Sequence, residues 1–200
     1  MLAIGGAVLA IVIGAGQPIQ AKPLLPALQS KVPNGYDVLA NVEISAGTPV
    51  RRFVVVALGR RDEGDHRDDP KGAPNRPLII FEQVGGQYRQ VARNDTVVLA
   101  ADAGGQCDPF LDNDGTIAVK GGYFTVENGV ACGSHWTDYI TFRFDDRAGG
   151  FVFDNERNES WSMNRSTKSD AEALVRDGPQ RVRRDRAGRV TPFSAWRPLP

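Results

Sequence analysis

The sequence predicts a mainly β protein: an antiparallel meander-type sheet or sandwich with one short C-terminal helix. Three observations carry this. Apolar residues come in short continuous runs rather than at helical spacing. Glycine pairs and mixed polar clusters separate those runs. The clearest pattern in the chain, residues 136–144, alternates with period two. At 200 residues, with 41% hydrophobic residues, the chain can bury roughly 70% of its unfolded surface in one core. The 24 Lys+Arg balance 24 Asp+Glu, so no long-range field recruits nucleic acid or an anionic membrane.

From Leu2 to Ala15 the chain is almost wholly apolar or glycine, shorter than the ~20 residues a bilayer span needs. Residues 1–21 therefore read as a signal peptide, with cleavage before Lys22, although only the amino terminus supplies the usual positive charge. Left uncleaved, the same segment is an N-terminal anchor and the one route to a membrane contact. Residues 22–200 then form a single domain in the periplasm or outside the cell.

Phe53–Leu58 and Leu78–Phe81 are β-branched apolar runs too short for helices, and read as central strands covered on both faces. Residues 60–77 mix both charges with Gly and Pro and read as a solvated loop. Gly85-Gly86 turns Leu78–Phe81 back into a polar-faced strand that ends at Ala92, and Thr96–Ala100 reads as a further short strand. Ile117–Lys120, Tyr123–Glu127 and Trp136–Phe144 continue as a meander, broken at Gly121-Gly122 and at Asn128-Gly129. In the last of these, Trp136, Ile140, Phe142 and Phe144 share one face with Asp138. Phe151, Phe153, Trp161 and Met163 extend the apolar pattern as core. A capping box of Ser169 and Glu172, followed by Ala173, Leu174 and Val175 and stopped at Gly178-Pro179, predicts the short helix. Residues 176–189 are Arg-rich, and Val190–Trp196 reads as an edge strand.

The stretches Gly104-Gly105-Gln106-Cys107-Asp108-Pro109-Phe110, Val119-Lys120-Gly121-Gly122-Tyr123-Phe124-Thr125-Val126-Glu127 and His135-Trp136-Thr137-Asp138-Tyr139-Ile140-Thr141-Phe142-Arg143-Phe144 resemble a group of uncharacterised exported bacterial proteins. The resemblance spans residues 33–164 and implies a secreted all-β fold without an established activity. Relatives of that kind often carry an Asp-rich, calcium-loop-like segment before the first central strand. Here residues 41–49 contain no Asp, which removes that ion site.

Cys107 and Cys132, the only cysteines, sit in Gly-containing loops of an exported chain and read as one disulfide rather than a redox or metal pair. Asp108, Asp112, Asn113, Asp114 and Gly115 crowd one loop, but two calcium-ligand positions are wrong, so a hydrogen-bonded turn explains them. Neither a metal site nor a cofactor is expected. The Arg cluster from Arg176 to Arg189 suits a solubilising or edge-protecting segment, and its alternative is a patch for phosphate, a lipid headgroup or an acidic envelope polymer. Two functions follow. In the first, loops around residues 104–108 and 133–138 bind a ligand or an envelope component through Gln106, Asp108, His135 and Asp138. The second is an envelope hydrolase with His135 and Asp138 as acid and base. The chain lacks a Gly-x-Ser-x-Gly elbow and metal-ligand spacing, which favours binding without catalysis.

Overall fold

The computed structural model describes residues 23–66, 71–112, 117–132, 135–166, 168 and 172–199. The segment read as a signal peptide, residues 1–21, lies outside the described residues. After a helical turn at Pro26–Gln29, four strands form one antiparallel meander: β1 (Tyr36–Ala46), β2 (Arg51–Arg60), β3 (Arg76–Val84) and β4 (Gln87–Val98). A second antiparallel sheet follows, built from β5 (Ile117–Lys120), β6 (Tyr123–Val130), β7 (His135–Asp145), β8 (Gly150–Met163), β9 (Leu174–Arg176) and β10 (Arg181–Arg184). Its order is β10-β8-β7-β6-β5, with β9 also paired to β8. The mainly β fold read from the sequence is the fold observed.

The two sheets share one core. Phe53, Val55 and Ala57 of β2 and Leu78 and Ile80 of β3 face Phe124, Val126, Ile140, Phe142, Phe151 and Phe153 of the second sheet. The aromatic rings pack edge to face or offset at centroid distances such as 5.2 Å for Phe124 and Phe151, the geometry that ring quadrupoles favour. Alternate residues of the same two strands, Val54, Val56, Leu58, Ile79 and Phe81, form a second cluster with Leu24, Leu25 and Leu28. The N-terminal segment thus covers the outer face of the four-stranded sheet, which is why β2 and β3 read as unbroken apolar runs.

Several expectations need correction. The helix over residues 169–175 does not form in its described part: Leu174–Arg176 is strand β9, paired with Trp161–Met163, while residues 169–171 lie outside the described residues. Tertiary pairing along a free strand edge overrides a weak local helix signal. Thr96 continues β4, so 96–100 is not a separate strand. Val190–Trp196 makes one bridge, Val152 to Pro192, and then a 3-10 turn at Phe193–Ala195 that buries Phe193 and Trp196. Asn94 holds this turn by donating from Nδ2 to the Phe193 and Trp196 carbonyls at 2.6 and 3.0 Å.

Asn128-Gly129 is no turn; it lies inside β6. The Asn128 amide is fully buried and joins the sheets, donating to the Val97 carbonyl and accepting from the Leu99 amide, each at 3.0 Å. A Cβ on Gly129 would stand 2.7 Å from the Trp136 carbonyl oxygen, so the position requires glycine for close strand approach rather than for turning. The loop of residues 60–77 is solvated only in part. A 3-10 turn at Glu63–His66 folds back on Arg76, whose side chain has no exposed surface.

Candidate binding face

The residues singled out in the sequence do not gather in one place. Asp108 is taken up by the fold: its carboxylate grips Arg76 through Nη1 at 2.7 Å and through Nη2, and Oδ1 accepts the amides of Phe110 and Leu111, both at 3.0 Å. Burial resists its ionisation, but the Arg76 guanidinium and those amides outweigh it and hold the carboxyl below its ordinary range. Asp112 Oδ2 accepts the Asp108 amide at 2.8 Å. Asp108 and Asp112 thus serve a turn, as their spacing suggested, while Asn113, Asp114 and Gly115 lie outside the described residues. Gln106 is exposed beside Cys107.

Cys107 and Cys132 are joined in a disulfide with Cα atoms 6.3 Å apart. The bond fastens the loop of Gln106 to the end of β6, next to the start of β7.

His135 and Asp138 are three residues apart on β7 and therefore face opposite sides of the sheet. Asp138 shares the inner face with buried Ile140 and Phe142, and its Oδ1 is buried without a hydrogen-bond partner among the described residues. Burial, reinforced by the Glu156 carboxylate and opposed by Arg183, pushes the Asp138 carboxyl up to about 7. Burial also raises Glu156, against Arg183, whose Nε lies 2.6 Å from Glu156 Oε2. Arg183 in turn stacks on Phe153 and Trp196 at 5.1 and 5.2 Å, and so ties the carboxylates to the C-terminal turn.

His135 looks outward, paired across the sheet with Trp161. Trp161 and Met163 were expected in the core, because they keep the parity of Phe151 and Phe153. A β-bulge at Asp154 reverses that parity: Phe142 pairs with Phe153, but Thr141 pairs with Asn155. One extra residue sends Glu156 and Asn158 inward and Asn155, Arg157, Glu159, Trp161 and Met163 outward. Met163 is accordingly 66% exposed.

The bulge organises the outer face into cross-strand rows. Ala118, Thr125, Thr141, Asn155 and Arg184 form one row, and Glu127, Tyr139, Arg157 and Val182 the next. Thr137 and Glu159 make the third, and His135, Trp161 and Arg176 the fourth. The Thr125 and Thr141 hydroxyls share a hydrogen bond of 2.9 Å. Arg176 stacks on the Trp161 indole at 5.9 Å, which orients the ring.

Two hollows open along β7. One, of about 460 Å³, is lined by His135, Trp136, Thr137 and Trp161 with Glu172 and Leu174 of the incoming β9 segment. The other, of about 420 Å³, is lined by Thr125, Glu127, Tyr139, Thr141, Asn155, Arg157 and Arg184. Both volumes fall in the range of small-molecule sites. Of the four residues proposed from sequence, only His135 lines either hollow. Trp161 and Arg157 were missed, since their orientation depends on the bulge, while Arg184 belongs to the Arg cluster read as a solubilising segment or, alternatively, an anion patch.

No family model, curated protein or solved structure matches the chain.

Proposed function

We propose that the protein is exported, to the periplasm or beyond the cell, and acts by binding a ligand or envelope component rather than by catalysis. The observation that carries this reading is the division of β7: His135 opens into a cleft with Trp136 and Trp161, while Asp138 faces the interior. An acid–base pair must reach one reacting group, and these two side chains diverge. Polar groups set beside fixed aromatic rings on a sheet suit recognition, because little conformational entropy is lost when they bind. The Cys107–Cys132 disulfide supports an oxidising compartment.

Thermal-shift screening of purified protein against envelope polymers, peptides and small organic acids tests the reading, alongside esterase, peptidase, glycosidase and phosphatase assays. A ligand-induced shift that disappears in Trp161→Ala, with no turnover by the wild type, is expected. Hydrolysis by the wild type that vanishes in His135→Ala would overturn it.

A further inference from the structure

The outer faces of the two sheets differ in one respect that bears on ligand class. On the four-stranded sheet, Val54, Val56, Ile79 and Phe81 are capped by Leu24, Leu25 and Leu28. The six-stranded sheet carries Thr125, Thr137, Tyr139, Thr141, Asn155, Arg157 and Trp161 on its corresponding face, and all of them retain solvent exposure. A sheet face left open to water needs only scattered polar residues. This one instead sets an oriented indole at one end and two guanidinium groups at the other.

We propose that this face binds a carboxylated polysaccharide, running along β7 from the His135–Trp161 cleft to the Arg157–Arg184 cleft. The inference rests on the binding reading above and extends it to a ligand class. Three chemical features select that class. First, from His135 to Thr141 the strand advances ~20 Å, so a linear polymer can occupy both hollows at once. Second, Thr125, Thr141, Asn155 and Tyr139 line the second hollow and offer hydroxyl and amide groups, which match a ligand rich in hydroxyls. Trp161 and Tyr139 add flat apolar surface suited to the C–H face of a sugar ring.

Third, the second hollow carries two guanidinium groups against the single carboxylate of Glu127, an excess of positive charge that favours carboxylates. Arg157 and Arg184 are diagonal neighbours across β8 and β10, both exposed and on one face. Among the described residues, the ion pairs of this sheet engage Arg143, Arg176 and Arg183, not these two. A guanidinium fork accepts a carboxylate in two parallel hydrogen bonds, which a neutral sugar cannot supply. The Asp154 bulge is the device that turns Arg157 and Trp161 together to the outer face.

Calorimetric titration of the mature, disulfide-bonded protein with tetragalacturonate and with its fully methyl-esterified form isolates the charge, because ring shape and hydroxyls are kept. The acid should bind at least tenfold tighter than the ester, with affinity falling as salt rises. Arg157→Gln/Arg184→Gln should remove that preference, and Trp161→Ala should weaken both ligands at least tenfold. Equal binding of acid and ester, or an unchanged double variant, would overturn the proposal. So would equal affinity for dextran sulfate, which has sulfates but no carboxylates, or for single-stranded DNA, since the face would then be a general anion patch. Failure to bind either saccharide also overturns it, and leaves the binding reading to be judged by the broader screen. Circular dichroism on the variants separates lost contacts from lost fold.

Discussion

Replacing Asp108 with Ala should destabilise the protein by about 3–5 kcal/mol, because it strips one partner from a buried ion network. Arg76 is 0% exposed, and its guanidinium meets Asp108 on one side and Glu63 on the other, through Nε at 3.0 Å and Nη2 at 2.6 Å. Nη1 also reaches the Leu99 carbonyl at 3.3 Å. Asp108→Ala removes two charge-assisted hydrogen bonds, each worth ~1.5–3 kcal/mol net, and leaves the Phe110 and Leu111 amides without their acceptor. For a domain of this size the loss corresponds to a fall in Tm of ~6–20 °C. Arg76→Met should cost a similar amount, since it strands the Asp108 carboxylate in the interior. The double variant Arg76→Met/Asp108→Ala should be more stable than the two single losses summed, by at least ~2 kcal/mol, because Arg76 and Asp108 no longer leave each other unpaired. Urea unfolding of the four proteins at pH 7 closes the cycle. Additive single effects below ~1 kcal/mol each would refute the reasoning and show the network to be solvated. The pH dependence carries its own sign. A carboxyl held below its unfolded value stabilises the fold above that value, so the Asp108 contribution should fade only as pH falls below ~4.

Asp138 should behave in the opposite sense. Its carboxyl, raised to about 7 in the fold, keeps its proton between ~pH 4 and 7 while the unfolded chain loses it, so stability should decline as pH rises through that window. Asp138→Asn should flatten the decline and raise Tm at pH 8, and an unchanged melting profile from pH 5 to 8 in both proteins would contradict this placement. The Cys107–Cys132 bond closes a loop with a sequence separation of 25, and reducing it or substituting both residues with Ala should lower stability by ~3.5 kcal/mol in the chain-entropy model. Urea melts with and without reductant measure that difference, and coincident curves would count against it.

The core strands were legible because their signal is local. Phe53–Leu58 and Leu78–Phe81 are apolar at every position, which only a strand covered on both faces requires, and both covers are present. The hairpin at Gly85-Gly86, the alternation of β7 and the pairing of the two cysteines likewise depend on short spacings or on residue type. The candidate site was legible only at His135. What the sequence by itself determined is the class of fold, the inner face of β7 and the disulfide. Tertiary structure alone decided three further matters. Arg76 was read as part of a solvated loop, and only the return of Glu63 and the Asp108 turn, 13 and 32 residues away along the chain, makes its burial tolerable. Leu174–Arg176 became a strand because β8 extends far enough to offer it an edge. The outward set of Arg157 and Trp161 follows from one unpaired residue at Asp154, and a bulge changes neither composition nor hydrophobic content. Period two records which residues alternate; the register between strands decides which way they face.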